Sequence, residues 1–130
     1  MRFELIDRVL ELDDTGIVAI KMVSAAEEYL GDHFPGFPVL PGVMMLEAMT
    51  QAGRKLASHL GMDHRLVIAE VRNIRYAAMV RPGQTLKVTV KPRKQTDGQL
   101  ECEGRGEVEG ELAVSGRFTL ASEKAGRVLR

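Results

Sequence analysis

The sequence predicts an α+β domain in which an antiparallel β-sheet surrounds one long, buried α-helix. Three observations lead to this prediction: one apolar helical run at residues 43–52, about six strand-like runs around it, and turn signals that join most of those runs as hairpins. An antiparallel sheet curled around the helix is the most economical way to bury these elements. Periodicity does not distinguish a curled sheet from a flatter one that carries the helix on its face.

The N-terminal part of the chain predicts a hairpin followed by irregular structure. Residues 3–12 alternate loosely up to a turn cluster at 13–16 (DDTG), and residues 17–23 (IVAIKMV) complete the hairpin. Ser24 and Glu27 suit the N-cap and capping-box positions of a short helix over residues 24–30. Residues 31–42 (GDHFPGFPVLPG) hold three prolines and three glycines, which excludes regular structure there.

The long helix and the remaining strands follow. Pro41 suits the first turn of the helix, which we expect to end near Gly61. Strand character covers residues 65–79, 85–94, 100–108 and 111–121, separated by turns at residues 81–84, 97–98 and 109–110. Leu86, Val88 and Val90 share one face of their strand. Residues 122–130 have the composition of a frayed tail.

Length and composition are those of one domain over residues 1–130. Eighteen basic and eighteen acidic residues cancel, so net charge does not indicate a nucleic-acid or membrane surface. A single cysteine, Cys102, excludes an intramolecular disulfide and fits a reducing compartment. The start of the chain has no block of signal-peptide type, and no run approaches the ~20 apolar residues of a membrane span. We therefore expect a cytoplasmic protein.

Two residues stand out as candidates for chemistry. Glu47 is the only acidic residue in a helical run that otherwise resembles a core, so it either reaches water at the helix edge or has a chemical role. Gln51 lies four residues on and could hydrogen-bond the Glu47 carboxylate, although it could equally be satisfied elsewhere. His33 lies in the proline-rich loop that leads into the helix, where a histidine could transfer protons at neutral pH. Taken alone, a loop histidine is more often structural than catalytic.

The helix N-terminus completes this arrangement. Its N–H groups carry partial positive charge and could polarise a carbonyl oxygen, and Gly42 leaves room for such an approach. Apolar residues, including Phe34, would line the site. A base, an acid and an enolate donor are what proton abstraction next to a carbonyl requires. With three histidines and no ligand spacing among them, the sequence predicts no metal site.

These motifs resemble a known family. Residues 33–36 (HFPG), 38–43 (PVLPGV) and 46–49 (LEAM), together with Gln51, resemble the signature of bacterial (3R)-hydroxyacyl-acyl-carrier-protein dehydratases. The spacing of fourteen residues from His33 to Glu47 is also similar to that family's. The resemblance extends over nearly the whole chain, through residues 5–9, Tyr76, the 82–86 segment and residues 107–112.

The resemblance implies a hotdog fold, in which the sheet wraps around the long central helix. It implies a homodimer in which His33 of one subunit faces Glu47 of the other, and it leaves a trimer of dimers open. It further implies that His33 takes the C2 proton, that Glu47 helps the 3-hydroxyl leave as water and that the Gly42 N–H holds the thioester oxygen. Phe34 and Gln51 would contact the substrate. No cofactor is implied, and the partner is an acyl carrier protein.

Some features differ from the family, and alternatives remain. The family usually has a further segment before its first strand and a basic pair near positions 77–78, where this chain has two alanines. A basic patch for the carrier protein is a hypothesis that rests on five residues: Arg54, Lys55, Arg72, Arg75 and Arg81. The rival functions are a hotdog thioesterase, a non-catalytic acyl-thioester binding module, and the same dehydration in a polyketide- or pigment-type pathway.

Overall fold

The computed structural model describes residues 4–24, 39–62 and 65–122. One long helix, α1, covers Gly42–His59. The six strands, in chain order, are β1 (Arg8–Asp13), β2 (Gly16–Met22), β3 (Leu66–Tyr76), β4 (Thr85–Thr96), β5 (Gln99–Val108) and β6 (Glu111–Ser122). The predicted α+β class, with one long helix and six strands, is therefore confirmed.

All six strands form one antiparallel sheet in the order β1-β2-β4-β5-β6-β3. Helix α1 contacts every one of these strands. Six strands span roughly 24 Å at a spacing of about 4.8 Å, whereas a helix with its side chains is about 10–12 Å across. A flat sheet could not touch the helix along its whole width, so the sheet curls around α1 as the resemblance implied.

The predicted strand faces are confirmed where the sheet covers the helix. Leu86, Val88 and Val90 of β4 are completely buried. They lie opposite β5 in a register that pairs Val88 with Gly106 and Val90 with Gly104. The alternation of buried and exposed residues therefore directs one face of β4 and β5 inward.

Glycines of β5 let the helix approach the sheet closely. A Cβ atom at Gly104 would lie 2.7 Å from the Met49 sulfur and 3.1 Å from the Phe118 ring. On the helix, a Cβ at Gly53 would lie 3.0 Å from that same ring. Met49 and Phe118 fill the space that side chains at these positions would need, which produces a core packed to interior density.

Several boundaries differ from the predictions. The first strand begins at Arg8 and not at residue 3, and the buried residues Leu5 and Ile6 precede it outside the strand. The third strand ends at Tyr76 and not at residue 79. Beyond the strand, the N–H groups of Ala77 and Ala78 still donate to backbone carbonyls of β6, and Val80 O accepts a bond of 2.7 Å from Leu40 N. The predicted helix at 24–30 and tail at 122–130 lie almost entirely outside the described residues.

Strand β3 forms one edge of the sheet and is the most exposed strand after β1. A bulge between Arg72 and Arg75 sets Asn73 at φ 53° opposite Gly116, whose Cβ would lie 2.8 Å from the Ile74 side chain. A bulge of this kind bends the strand and turns Ile74 toward the interior. Val67 and Val71, by contrast, remain 39% and 37% exposed along the edge.

Cys102 is a buried residue of β5, as the sequence indicated. Its side chain is completely inaccessible, and its sulfur lies 3.8 Å from the carbonyl oxygen of Leu100. Burial, with the nearby Glu101 carboxylate, raises the pKa of the Cys102 thiol to about 12. The thiol is therefore protonated at neutral pH and has a structural role. None of the helices in the described part has the length and apolar character needed to span a bilayer.

Candidate active site

Glu47 lies in the second turn of α1, on the side that faces away from the sheet. Its neighbours Ala48 and Met49 point into the core and are completely buried, whereas the Glu47 side chain is 39% exposed. Of the two possibilities left open by the sequence, the protomer therefore shows a carboxylate at the helix edge. The Glu47 carboxylate also makes two specific contacts within the protomer, so it is not simply surrounded by water.

Gln51 makes the first of these contacts. Its Nε2 donates to Glu47 Oε2 at 3.0 Å, which confirms the hydrogen bond expected from the four-residue spacing. On its other side, Gln51 Oε1 accepts a 2.8 Å bond from the backbone N–H of Leu5. The amide orientation is consistent with both bonds, because only the oxygen can accept from Leu5 and only the nitrogen can donate to Glu47.

Arg54 makes the second contact. Its Nη1 lies 3.6 Å from Glu47 Oε2, an ion pair too long to be a hydrogen bond. Its Nε donates at 2.7 Å to the carbonyl oxygen of Leu66, the first residue of β3. The sequence indicated Arg54 only as part of a basic patch, and its contact with Glu47 was not predicted. The signal was available, since a separation of seven residues places the two side chains on one helix face.

Gly42 begins α1 directly after Pro41. Pro41, at the N-cap position, makes no side-chain hydrogen bond to this helix end, and the first turn contains no acidic residue. A Cβ at Gly42 would lie 3.0–3.2 Å from the ring of Tyr76. The glycine is therefore needed partly because Tyr76 covers it, a tertiary contact that sequence spacing could not reveal. Partial burial raises the pKa of the Tyr76 hydroxyl, which remains neutral at physiological pH.

The loop that carries the other predicted residues is described only at its end. Val39 and Leu40 are buried, at 6% and 2% exposure, and anchor the chain before the helix. His33 and Phe34 lie outside the described residues, so their roles stay predictions. Residues 4–24, 39–62 and 65–122 contain no group of three or more metal-binding side chains. The metal-free reaction also stays a prediction.

The described geometry can thus support acid–base chemistry at one carboxylate. Glu47 is held at one oxygen by an amide and a guanidinium, and the helix N-terminus lies about one helical turn before it. A helix N-terminus of this type presents unsatisfied N–H groups to a developing negative charge.

Comparisons with known proteins agree on one family. The family model of the FabA-like domain matches residues 1–117. The chain is 40% identical over 119 residues to a 3-hydroxyacyl-[acyl-carrier-protein] dehydratase FabZ of Streptococcus mutans serotype c, covering 90% of this chain and 85% of that protein. It is 36% identical over 122 residues to the protein of the same name from Streptococcus suis, covering 92% and 87%.

Solved structures share the fold at low sequence identity. The dehydratase heterocomplex ApeI:P from Xenorhabdus doucetiae matches with a TM-score of 0.77 at 18% identity, covering 97% of this chain and 88% of that chain. A hypothetical thioesterase with coenzyme A from Streptococcus pneumoniae matches with a TM-score of 0.71 at 14% identity, covering 88% and 83%. These likenesses confirm the hotdog fold. The family match and the curated relatives identify the chain itself as a member of the FabA-like domain family, in the group of FabZ 3-hydroxyacyl-[acyl-carrier-protein] dehydratases.

Proposed function

We propose that this protein is a (3R)-hydroxyacyl-acyl-carrier-protein dehydratase, a hydro-lyase that reversibly converts a 3-hydroxyacyl thioester into a trans-2-enoyl thioester and water in fatty acid biosynthesis. Identity of 36–40% to FabZ dehydratases over nine tenths of the chain is the main support. The geometry around Glu47 adds to it, because a partly exposed carboxylate fixed by one hydrogen bond and one ion pair suits a group that exchanges protons with a substrate.

In the proposed reaction, His33 removes a proton from C2 of the acyl chain. The electron pair of that C–H bond becomes enolate charge on the thioester oxygen, which the N–H of Gly42 stabilises at the helix N-terminus. Glu47 then donates a proton to the 3-hydroxyl, the C3–O bond breaks and water leaves. The enolate electrons form the C2–C3 double bond. In the reverse direction Glu47 takes a proton from water, and His33 returns a proton to C2.

Gln51 and Phe34 have supporting roles in this proposal. Gln51 orients the Glu47 carboxylate through its 3.0 Å bond and is itself oriented by the backbone of Leu5. Phe34 would line the acyl site beside His33. No cofactor takes part in the proposed step, because proton transfer and charge stabilisation by these residues complete the reaction.

We further propose that the active unit is a homodimer. Apolar side chains are exposed along the β3 edge and around the start of α1, notably Val43 at 64%, Tyr76 at 46% and Met79 at 57%. An open strand edge of this kind readily pairs with another strand, and a second copy of the chain would cover both the edge and the apolar patch. In the dimer that the family resemblance implies, His33 of one subunit faces Glu47 of the other.

Mixing two inactive variants tests the shared site. If each site takes His33 from one subunit and Glu47 from the other, a heterodimer of His33→Ala and Glu47→Gln subunits contains one intact site. Co-refolded subunits should then recover up to about a quarter of the wild-type rate, since half of the random dimers carry one of two sites. No recovery in demonstrated heterodimers would place both residues of a site in one subunit.

We propose an acyl carrier protein as the partner that delivers the substrate, in the cytoplasm. Of the five residues in the predicted basic patch, Arg54 turns inward to Leu66 and Arg72 pairs with Glu70 at 2.7 Å. Lys55, Arg75 and Arg81 are exposed residues, and we take Arg75 and Arg81 as the candidates for contacting an acidic carrier. Charge reversal at both should raise KM for the carrier-bound substrate, with kcat unchanged. An unchanged KM would exclude this docking surface.

The reaction type is tested by following two products at once. Wild-type protein is supplied with 3-hydroxyacyl-carrier and, separately, with enoyl-carrier substrate. A change in enoyl thioester absorbance in both directions without release of free thiol is the expected result. Thiol release would instead identify a thioesterase. An absence of turnover with both carrier and coenzyme A thioesters would identify a binding module.

A further inference from the structure

The guanidinium of Arg54 is fixed beside the Glu47 carboxylate by the backbone of another element. Its Nε–H bond to the Leu66 carbonyl, at 2.7 Å, ties the end of the side chain to the start of β3. The bond leaves Nη1 at 3.6 Å from Glu47 Oε2. Arginine can make both contacts because its planar group carries several N–H donors in a rigid arrangement. The Arg54 side chain is only 32% exposed, which limits the water around it.

Both contacts to the Glu47 carboxylate are made to the same oxygen. Within the described part of the chain, Gln51 and Arg54 are the groups that hold Glu47, and each of them approaches Oε2. One oxygen is therefore occupied by a neutral donor and a cation, while Oε1 has no such contact from these residues. A carboxylate held at one oxygen in this way presents the other in a defined direction.

We propose that Arg54 is a positioning residue for Glu47, which holds Oε2 and so leaves Oε1 for proton transfer to and from the substrate. This inference rests on the proposed dehydratase function. As Glu47 donates its proton to the departing hydroxyl, negative charge develops on the carboxylate. The Arg54 cation and the Gln51 amide are already oriented toward that charge, so neither has to reorganise during the step.

The effect of Arg54 should therefore depend on Glu47. Arg54→Met removes the charge and keeps an unbranched apolar side chain, whereas Arg54→Gln also removes the charge but keeps an amide that can bond the Leu66 carbonyl. For a partly exposed ion pair we expect either variant to lower kcat about three- to tenfold, with KM unchanged. Lys94→Met, which removes an exposed cation of β4, is the matched control and should leave kcat unchanged.

A double-mutant cycle separates positioning from a structural role. In a Glu47→Gln background, the same Arg54 substitutions should change the residual rate by less than about twofold, because the group on which Arg54 acts is gone. Thermal unfolding and dimer mass are measured for every variant. If Arg54→Met lowers the melting temperature, the rate of Arg54→Gln is used instead, because this variant can keep the bond to the Leu66 carbonyl.

The outcomes distinguish this inference from the proposed function. If Glu47→Gln strongly lowers turnover but Arg54 substitutions lower the rate by the same factor in both backgrounds, Arg54 acts elsewhere and only the positioning role is wrong. A rise in KM without a fall in kcat also overturns it. If Glu47→Gln retains the wild-type rate, the proposed role of Glu47 is wrong as well.

Discussion

The two sides of helix α1 differ in what they contact. On the side that faces the sheet, Met49 and Leu56 are completely buried, and Gly53 lies against the Phe118 ring. On the opposite side, Glu47 and Arg54 are 39% and 32% exposed and form a connected polar group with Gln51. One side of the helix thus carries the packing, and the other side carries a carboxylate with two polar partners. Substitutions on the two sides should therefore affect different measurements.

The largest expected effect is on the packed side. Met49→Ala would remove a fully buried side chain that fills the space above Gly104, and should lower the free energy of unfolding by about 2–5 kcal/mol. Met22→Ala is the matched control, because Met22 is 56% exposed at the end of β2. Chemical denaturation measures both. A loss of similar size at Met22 would show that burial against the sheet does not determine the effect.

A second prediction concerns pH and the sheet that covers the helix. The Cys102 thiol has a pKa of about 12 in the folded protein, whereas an unfolded thiol titrates near pH 8.5–9. Above pH 9 the unfolded chain loses this proton and the folded chain keeps it, so the free energy of unfolding falls as pH rises. The contribution is at most about 1.4 kcal/mol per pH unit between pH 9 and 12 and is absent below pH 8.

Cys102→Ala should remove this part of the alkaline slope. The measurement is the free energy of unfolding of both proteins at several pH values from 8 to 11. Other groups titrate in this range, but they are common to both proteins and cancel in the difference. Parallel curves would show that the thiol is not protected by burial in β5.

A smaller effect is expected from the orienting amide on the polar side. Gln51→Leu removes the donor to Glu47 Oε2 and should lower kcat about tenfold, a change of about 1.4 kcal/mol in activation free energy. Thr50→Val is the control, since its hydroxyl bonds the Leu46 carbonyl at 2.9 Å and does not contact Glu47. Equal losses of rate in both variants would mean that the helix, and not the Gln51 contact, was disturbed.

The sequence predicted the packed side of the helix well, because buried positions recur along the chain with the period of the helix or strand. The inward residues of β4 and the single apolar helix were identified from alternation and hydrophobicity alone. The start of the first strand was placed too early, since Leu5 and Ile6 are buried without belonging to the sheet ladder. A hydrophobic pattern indicates burial, but it cannot show whether a buried segment also pairs with a neighbouring strand.

The polar side was predicted only where local spacing decides the contact. The Glu47–Gln51 bond follows from a separation of four residues on one helix. The bond from Arg54 to Leu66 and the contact of Tyr76 with Gly42 join elements that are distant in sequence, so no local pattern indicates them. The resemblance to the dehydratase family indicated His33 as a partner of Glu47. Because His33 lies outside the described residues, that role stays a prediction.

The most direct test of this division is the rate of enoyl thioester formation by Glu47→Gln at matched concentration of folded protein. The substitution keeps the size of the side chain and removes its ability to donate and accept a proton, so we expect a loss of about 10²–10⁴ in kcat. The melting temperature and dimer mass should be those of the wild type. A wild-type rate in this variant would contradict the central claim that the polar side of α1 carries the chemistry.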